Sequence, residues 1–282
     1  MKVAVTGAAG QLGKDVVIEL EKQGFEVLAL DRDVLDITDE QAVLSFMEQN
    51  RPDSILHCAA YTNVDGAEED EQTAYKVNAL GSEYLAKAAA KIDAKMLQVS
   101  TDYVFDGSAT EPYGTDHPTK PLGAYGRTKL AGEEFVQQYL EKYFIVRTAW
   151  VFGVHGNNFV KTMIRLGKER EELGVVHDQV GSPTYTVDLA RFMVELMQSE
   201  KYGIYHATNE GICSWYEFAV EIFRQAEIDV TVKQLTTEQF PRPAARPKYS
   251  VLSKSKIEEQ GFTPLRHWKE ALAAYLAESN KL

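Results

Sequence analysis

The stretch VAVTGAAGQLGKDVV, residues 3–17, passes from a short apolar run through three glycines into an amphipathic segment. Gly7, Gly10 and Gly13 are spaced G-x-x-G-x-x-G between a strand pattern and a helix pattern. In such a loop one glycine permits a tight turn, the next lets backbone approach a pyrophosphate, and the third lets helix press against strand. The first helical turn, which Gln11 and Leu12 share, offers free N–H groups and a partial positive charge to phosphate. An ordinary turn uses glycines too, but the motif lies at the N-terminus and is followed by EVLALDR (26–32). There Asp31 ends a second apolar run about 20 residues on, where a carboxylate meets the adenosine ribose hydroxyls of a bound dinucleotide. Arg32 beside it reads either as a solvated surface residue or as a partner for a 2′-phosphate. The second reading favours NADPH and leaves NADH usable. Asp36 and Ile37 in DVLDITD are placed to flank the adenine, and Ala59, Ala60 and Tyr61 to line the cofactor after a third strand.

Outward from this loop, apolar runs alternate with amphipathic stretches. KVAVTG precedes 11–23, EVLALD precedes 39–50, DSILHCAA precedes 71–91 and KMLQVS precedes 128–142, with FIVRTAWVFG after them. Runs such as VAV and SILHCAA are apolar without alternation, as strands covered on both faces should be. The expected fold is α/β, a Rossmann-like doubly wound parallel sheet with right-handed crossovers. Beyond about residue 155 helix-like stretches at 157–170, 186–199, 214–226 and 267–280 are separated by irregular segments. The division expected is a dinucleotide-binding domain over 1–155 and a smaller α+β region over 156–282, mainly substrate-binding and partly interleaved with the first. The loops at 112–123 and 240–248 hold six of the nine prolines and read as ordered binding loops.

The 282 residues carry a formal net charge of −12, which repels nucleic acid and anionic membrane, so neither is an expected partner. An anionic ligand must be captured locally, as the glycine loop can do. Cys58 and Cys213, the two cysteines, have neither paired nor metal-type spacing and suit a reducing compartment. The N-terminus enters a strand pattern without a signal-peptide core, and no apolar run approaches the roughly 20 residues that span a bilayer. Cytoplasm is the expected location. None of the six histidines has ligand spacing, and His57 on an apolar strand reads as a satisfied core residue. No residues are assigned to a metal.

The chemistry is expected in VSTDYVFDGSATEPYGTDHPTKPLGAYGRTKLAGEEF, residues 99–135. Tyr125 and Lys129, four residues apart, share a helix face, so the ammonium can stabilise tyrosinate and lower a phenol pKa from its reference near ~10. Among 14 tyrosines this is the one followed four residues later by a lysine, but chance alone supplies about one such pair. Position separates it from accident. Thr101 and Asp102 end the strand before this helix, at the edge where α/β sheets bind ligands.

The segments TGAAGQLG, STDYVFDG and YGRTKLAGE resemble the extended short-chain dehydrogenase/reductase superfamily. Others, namely CAAYTNVDGAE, NAL, IVRTAWVFG, GNNFVKTM, DQVGSPTYT and ARPKYSVLSKSK, resemble its dTDP-4-dehydrorhamnose reductase family along nearly the whole chain. The resemblance implies reduction of the 4-keto group of dTDP-4-dehydro-L-rhamnose by a nicotinamide cofactor. Ketone reduction needs hydride at carbon and a proton at oxygen. Tyr125 would give the proton, Lys129 would hold the nicotinamide ribose and keep the Tyr pKa low, and Thr101 would hydrogen-bond the carbonyl. Asn78 of NAL and Val99 join the cofactor set. Thr62, Val64 and Asp65 would flank the sugar. Asp102 and Tyr103 read as sugar contacts, with a turn cap an equal alternative for Asp102. Trp150 reads as a stacking surface for sugar or nucleotide, or as a core aromatic. Asn158, Arg246 and Ser250 are candidates for the dTDP end, since a diphosphate needs a donor fork. Family members are often homodimers, some bridged by Mg²⁺. The alternatives left open are a nucleotide-sugar epimerase or dehydratase that retains its cofactor, and a non-catalytic NADP-binding regulatory subunit.

Overall fold

The computed structural model describes residues 1–281. Its first half is β1 (Lys2–Thr6), α1 (Gln11–Lys22), β2 (Glu26–Leu30), α2 (Glu40–Asn50), β3 (Ser54–His57), α3 (Val64–Glu69), α4 (Glu71–Tyr75), α5 (Gly81–Ile92), β4 (Lys95–Thr101), α6 (Ala124–Tyr139) and β5 (Tyr143–Thr148). The second half opens with β6 (Val151–Phe152), α7 (Phe159–Glu169), β7 (Glu172–Val176), β8 (Val180–Gly181), β9 (Thr184–Tyr185) and α8 (Thr186–Met197). It continues with β10 (Gly203–His206), β11 (Cys213–Ser214), α9 (Trp215–Gln225), β12 (Thr231–Leu235), α10 (Ser255–Glu259) and α11 (Trp268–Ser279).

Six strands form a parallel sheet in the order β10-β5-β4-β3-β1-β2, the Rossmann-like doubly wound arrangement. The central strands are buried on both faces. Val3 and Val5 pack with Val16, Leu20, Leu189 and Met193 of α1 and α8, whereas Ala4 and Ile55 pack with Val43, Met47, Leu85 and Val136 of α2, α5 and α6. A separate core around Phe152, Phe218, Trp268 and Tyr275 joins α9 and α11 to the small strands of the second half. β10, from the second half, is an edge strand of the main sheet, so chain order and spatial grouping do not coincide.

Strand order reverses between β1 and β3, which opens a crevice at their carboxyl ends. Gly7 sits there with φ +66°, and a Cβ on it would lie 2.7 Å from the backbone of Ala59. A Cβ on Gly13 would come within 2.0 Å of the Gly7 carbonyl oxygen. These two glycines let loop, β3 and α1 close on one another.

Two expected elements are broken, each for a visible reason. The single helix expected over 71–91 is α4 and α5 joined by a π-helical turn, Lys76–Leu80, which carries Asn78. Such turns insert an extra residue and re-aim side chains. Here the Asn78 amide bonds the Tyr61 backbone in both directions, N–H to Oδ1 at 2.8 Å and Nδ2 to O at 3.2 Å. The strand expected to run through FIVRTAWVFG stops at Thr148, because Trp150 adopts φ +49° and turns β6 away to pair with β9. Among the described residues no helix is long and apolar enough to cross a membrane.

Candidate active site

A cleft of about 1280 Å³ runs across the carboxyl ends of the sheet strands. Gly7, Gly10, Gln11, Leu12 and Gly13 line it at the first turn of α1, and Asp31, Arg32, Asp36 and Ile37 beyond β2. Ala59, Ala60, Tyr61 and Val99 line the middle. Thr101, Tyr125 and Lys129 converge at the other end, beside Thr62, Val64, Asp102, Tyr103 and Trp150.

The glycine-loop end is built mostly of backbone. Gly10 precedes α1 in extended conformation, and no side chain caps the N–H groups of the first turn. A loop that any Cβ would fill, with bare helix N–H groups behind it, fits a pyrophosphate. Asp31 Oδ1 accepts the N–H groups of Asp33 and Val34 at 3.0 and 3.2 Å, which fixes the turn after β2. Asp36 does the same for Thr38, and these bonds hold its carboxyl below the ordinary range. Arg32 is exposed at the rim.

At the other end burial dominates the electrostatics. Lys129, 3% exposed, donates from Nζ to the Val99 carbonyl at 2.6 Å. Burial pushes its ammonium down to about 8, against the opposing charge of Glu133 one turn on. The Tyr125 phenol is pushed up to about 12 by burial, with the Thr101 hydroxyl pulling the other way and Asp102 adding to the rise. The expected lowering of the phenol pKa by Lys129 is therefore not what this arrangement produces. Burial sets the direction, and the lysine's ammonium is directed at Val99. Thr101 Oγ1 donates to Asp102 Oδ1 at 3.1 Å and accepts the Tyr103 N–H at 3.2 Å. Asp102 is 2% exposed, and burial raises its carboxyl to about 6 while Ser250 and Thr101 pull the other way. Tyr103 meets Tyr125 edge to face at 5.6 Å.

Several expected residues are engaged elsewhere. Asn78 is wholly buried beneath Tyr61, also bonded to Thr128 Oγ1 at 3.1 Å, and supports the cleft wall from behind. Asn158 caps α7 and donates to Gln11 Oε1 and the Gly153 carbonyl, both at 2.7 Å, so it braces the glycine loop. Asp65 and Arg246, expected at the sugar and the diphosphate, are paired with each other at 2.6 Å. Arg242 and the Ala244 N–H bind the same carboxylate at 2.6 and 3.2 Å. Burial works to raise the Asp65 carboxyl, but the Arg246, Ala244 and Arg242 bonds overcome it and hold the group at about 2. Arg246 and Ser250 border a small pocket shared with Asp102, Tyr103 and Trp150. Trp150 stacks on Trp215, ring centroids 3.6 Å apart, and also lines the main cleft, so both of its readings describe part of its surroundings. His57 is buried between Thr6 and Ser82, at 2.7 and 3.1 Å.

Sequence reasoning missed Thr148 and Ala149, which line the cleft at the end of β5. The strand-end rule that found Thr101 applies to them equally. It also missed Gln179 and Trp215 at the small pocket, for which no local pattern exists.

The family described as the RmlD substrate binding domain matches residues 1–281. A dTDP-4-dehydrorhamnose reductase of Streptomyces griseus is 46% identical over 275 residues, covering 95% of this chain and 90% of its own. The crystal structure of a dTDP-4-dehydrorhamnose reductase from Clostridium acetobutylicum is similar at a TM-score of 0.98 and 51% identity, covering 99% of this chain and 100% of its own. A Bacillus anthracis dTDP-4-dehydrorhamnose reductase solved with NADP is similar at a TM-score of 0.96 and 46% identity, over 98% and 99% of the two chains.

Proposed function

The chain belongs to the RmlD substrate-binding domain family, and from that premise we propose that it reduces the 4-keto group of dTDP-4-dehydro-L-rhamnose with NADPH to give dTDP-L-rhamnose, a donor for cell-surface sugars. The observation that carries the reading is the convergence of Thr101, Tyr125 and Lys129 at one end of a cleft whose other end is a glycine cradle. Relatives bearing the reductase name across nearly the full chain, one of them solved with NADP, support the substrate and the cofactor.

When bound, NADPH supplies the hydride that goes to the ketone carbon. Gly7, Gly10 and Gly13 receive its pyrophosphate at the first turn of α1, and Asp31 and Arg32 face its adenosine ribose. Tyr125 is a neutral phenol at pH 7, since burial pushes it up to about 12, and gives its proton to the ketone oxygen as negative charge develops there. General acids of this kind contribute about 10²–10⁴-fold. Thr101 donates a hydrogen bond to the same oxygen, leaving Asp102 to do so. Lys129 is an ammonium below about pH 8 and holds the nicotinamide ribose hydroxyls. Thr62, Val64, Tyr103 and Trp150 enclose the sugar, and Arg246 with Ser250 meets the diphosphate once that anion displaces Asp65 from the arginine.

The test is NADPH oxidation by the purified chain with dTDP-4-dehydro-L-rhamnose, and with its UDP and GDP analogues. Turnover with the dTDP sugar and cofactor exchange at each cycle are expected. Sugar conversion on a retained cofactor, with no net NADPH consumed, would favour an epimerase instead.

A further inference from the structure

Helix α6 carries Tyr125 in its first turn, yet it begins after Gly123, which has no side chain to satisfy the N–H groups exposed at a helix start. The partner comes from another helix. Glu68 of α3 accepts the Ala124 N–H on Oε1 at 2.7 Å. Gly123 makes this approach feasible, because a Cβ there would lie 2.5 Å from the same oxygen. A neighbouring carboxylate reinforces the grip, with Glu71 binding Arg127 through both oxygens at 3.0 and 2.9 Å. Beneath these contacts Ala67 of α3 is buried with Ala74 and Ala124, and Tyr61 and Tyr125 pack around them. The residue that opens α3, Val64, lines the cleft. One short helix thus touches the sugar end of the cleft and fixes the residue immediately before the proton donor.

We propose that Glu68 is a positioning residue of the reductase reaction, capping α6 from α3 so that the Tyr125 hydroxyl is held at the height of Thr101. The inference rests on the functional reading above. Caps define where a helix starts and how its first turn is oriented. Proton transfer requires the donor within hydrogen-bond reach of the substrate oxygen, and small displacements of a reacting group are costly.

Two substitutions remove the same contact by different routes: Glu68→Ala deletes the carboxylate, and Gly123→Ala puts a methyl group where its oxygen sits. Each is expected to lower kcat about tenfold and leave KM for NADPH within about twofold, and the double variant should be no worse than either single one. Glu68→Gln, which keeps an acceptor oxygen, should retain kcat within about twofold of the wild type. Amide hydrogen exchange over residues 124–127 of the ligand-free protein should speed up in both alanine variants. That readout is independent of turnover, so a wild-type chain lacking reductase activity would sink the functional reading and still leave the cap to be judged. Wild-type exchange and kcat in Glu68→Ala, or losses that multiply in the double variant, would overturn the proposal. Should one alanine variant fail to fold, the other, compared with Glu68→Gln, decides by the same two readouts.

Discussion

The two ends of the cleft are held by different forces. At the cofactor end the shape comes from backbone: glycines against Ala59 and the Gly7 carbonyl, a helix N-terminus without a side-chain cap, and carboxylates that close turns two or three residues long. At the sugar end the shape comes from side chains distant in sequence. Asp65 is gripped by Arg242 and Arg246, and Trp150 lies on Trp215. A backbone cradle tolerates no added atoms, whereas paired charges must exchange partners when an anion enters. The cofactor end should therefore act as a rigid mould and the sugar end as an adjustable clasp.

The sharpest break between the ends is expected where chemistry meets the cofactor. Tyr125→Phe should reduce kcat by about 10²-fold or more, the scale of a lost general acid, with NADPH affinity almost intact. Lys129→Met should damage both, because the ammonium that holds the nicotinamide ribose also sets where the hydride donor lies. In the wild type, reduction should fall as pH rises above about 8, where Lys129 loses its charge, and the residual activity of Lys129→Met should lack that limb. Stopped-flow turnover and cofactor fluorescence titration across pH separate the two effects.

A smaller effect is expected at the rim of the mould. Arg32 is exposed, so screening limits its contribution. Arg32→Ala should weaken NADPH binding by about 1.5 kcal/mol, the low end for a hydrogen bond to a charged group, and leave NADH nearly unchanged. Equal losses for both cofactors in titrations at one salt concentration would show that Arg32 is only a solvated surface residue.

The smallest effect belongs to the clasp. Asp65→Asn should cost about 1 kcal/mol of stability at neutral pH, because the folded-state pKa lies below the unfolded value of ~3.9. A group depressed in this way stabilises the fold above its unfolded pKa. That contribution is lost as pH falls through the folded value of about 2. Urea midpoints of wild type and variant should thus differ at pH 6 and converge as pH falls from 4 towards 2. A gap that stays constant over that range would mean Asp65 holds the loop by shape and not by charge.

How much of this was legible in the sequence follows the same division. Glycine spacing, strand ends and the four-residue step from Tyr125 to Lys129 are local patterns, and the chain folds them where their periodicity indicates. The helices expected in the second half also begin and end within two residues of their apolar patterns, as at α8 and α11, whereas the short α10 has no such pattern. What could not be read was which distant side chains would pair. Asp65 looked like a sugar ligand and Arg246 like a phosphate fork because each alone suits that task, and nothing in a linear sequence sets a carboxylate against a guanidinium 181 residues away. Asn78 was similarly unreadable, since its place under Tyr61 depends on a π-helical turn that periodicity does not reveal. The rise of the Tyr125 phenol is not legible either, because the helix pattern gives the lysine's spacing and not the depth of burial that drives it.

Hydride transfer from NADPH to the sugar is the step on which every role assigned to Tyr125, Lys129 and Thr101 depends. NADPH carrying deuterium at both C4 positions of its dihydronicotinamide, supplied with dTDP-4-dehydro-L-rhamnose and the purified chain, should yield dTDP-L-rhamnose with one deuterium at sugar C4 for each NADP⁺ released, read by mass spectrometry. Product without deuterium, or sugar conversion with no NADP⁺ released, would contradict it.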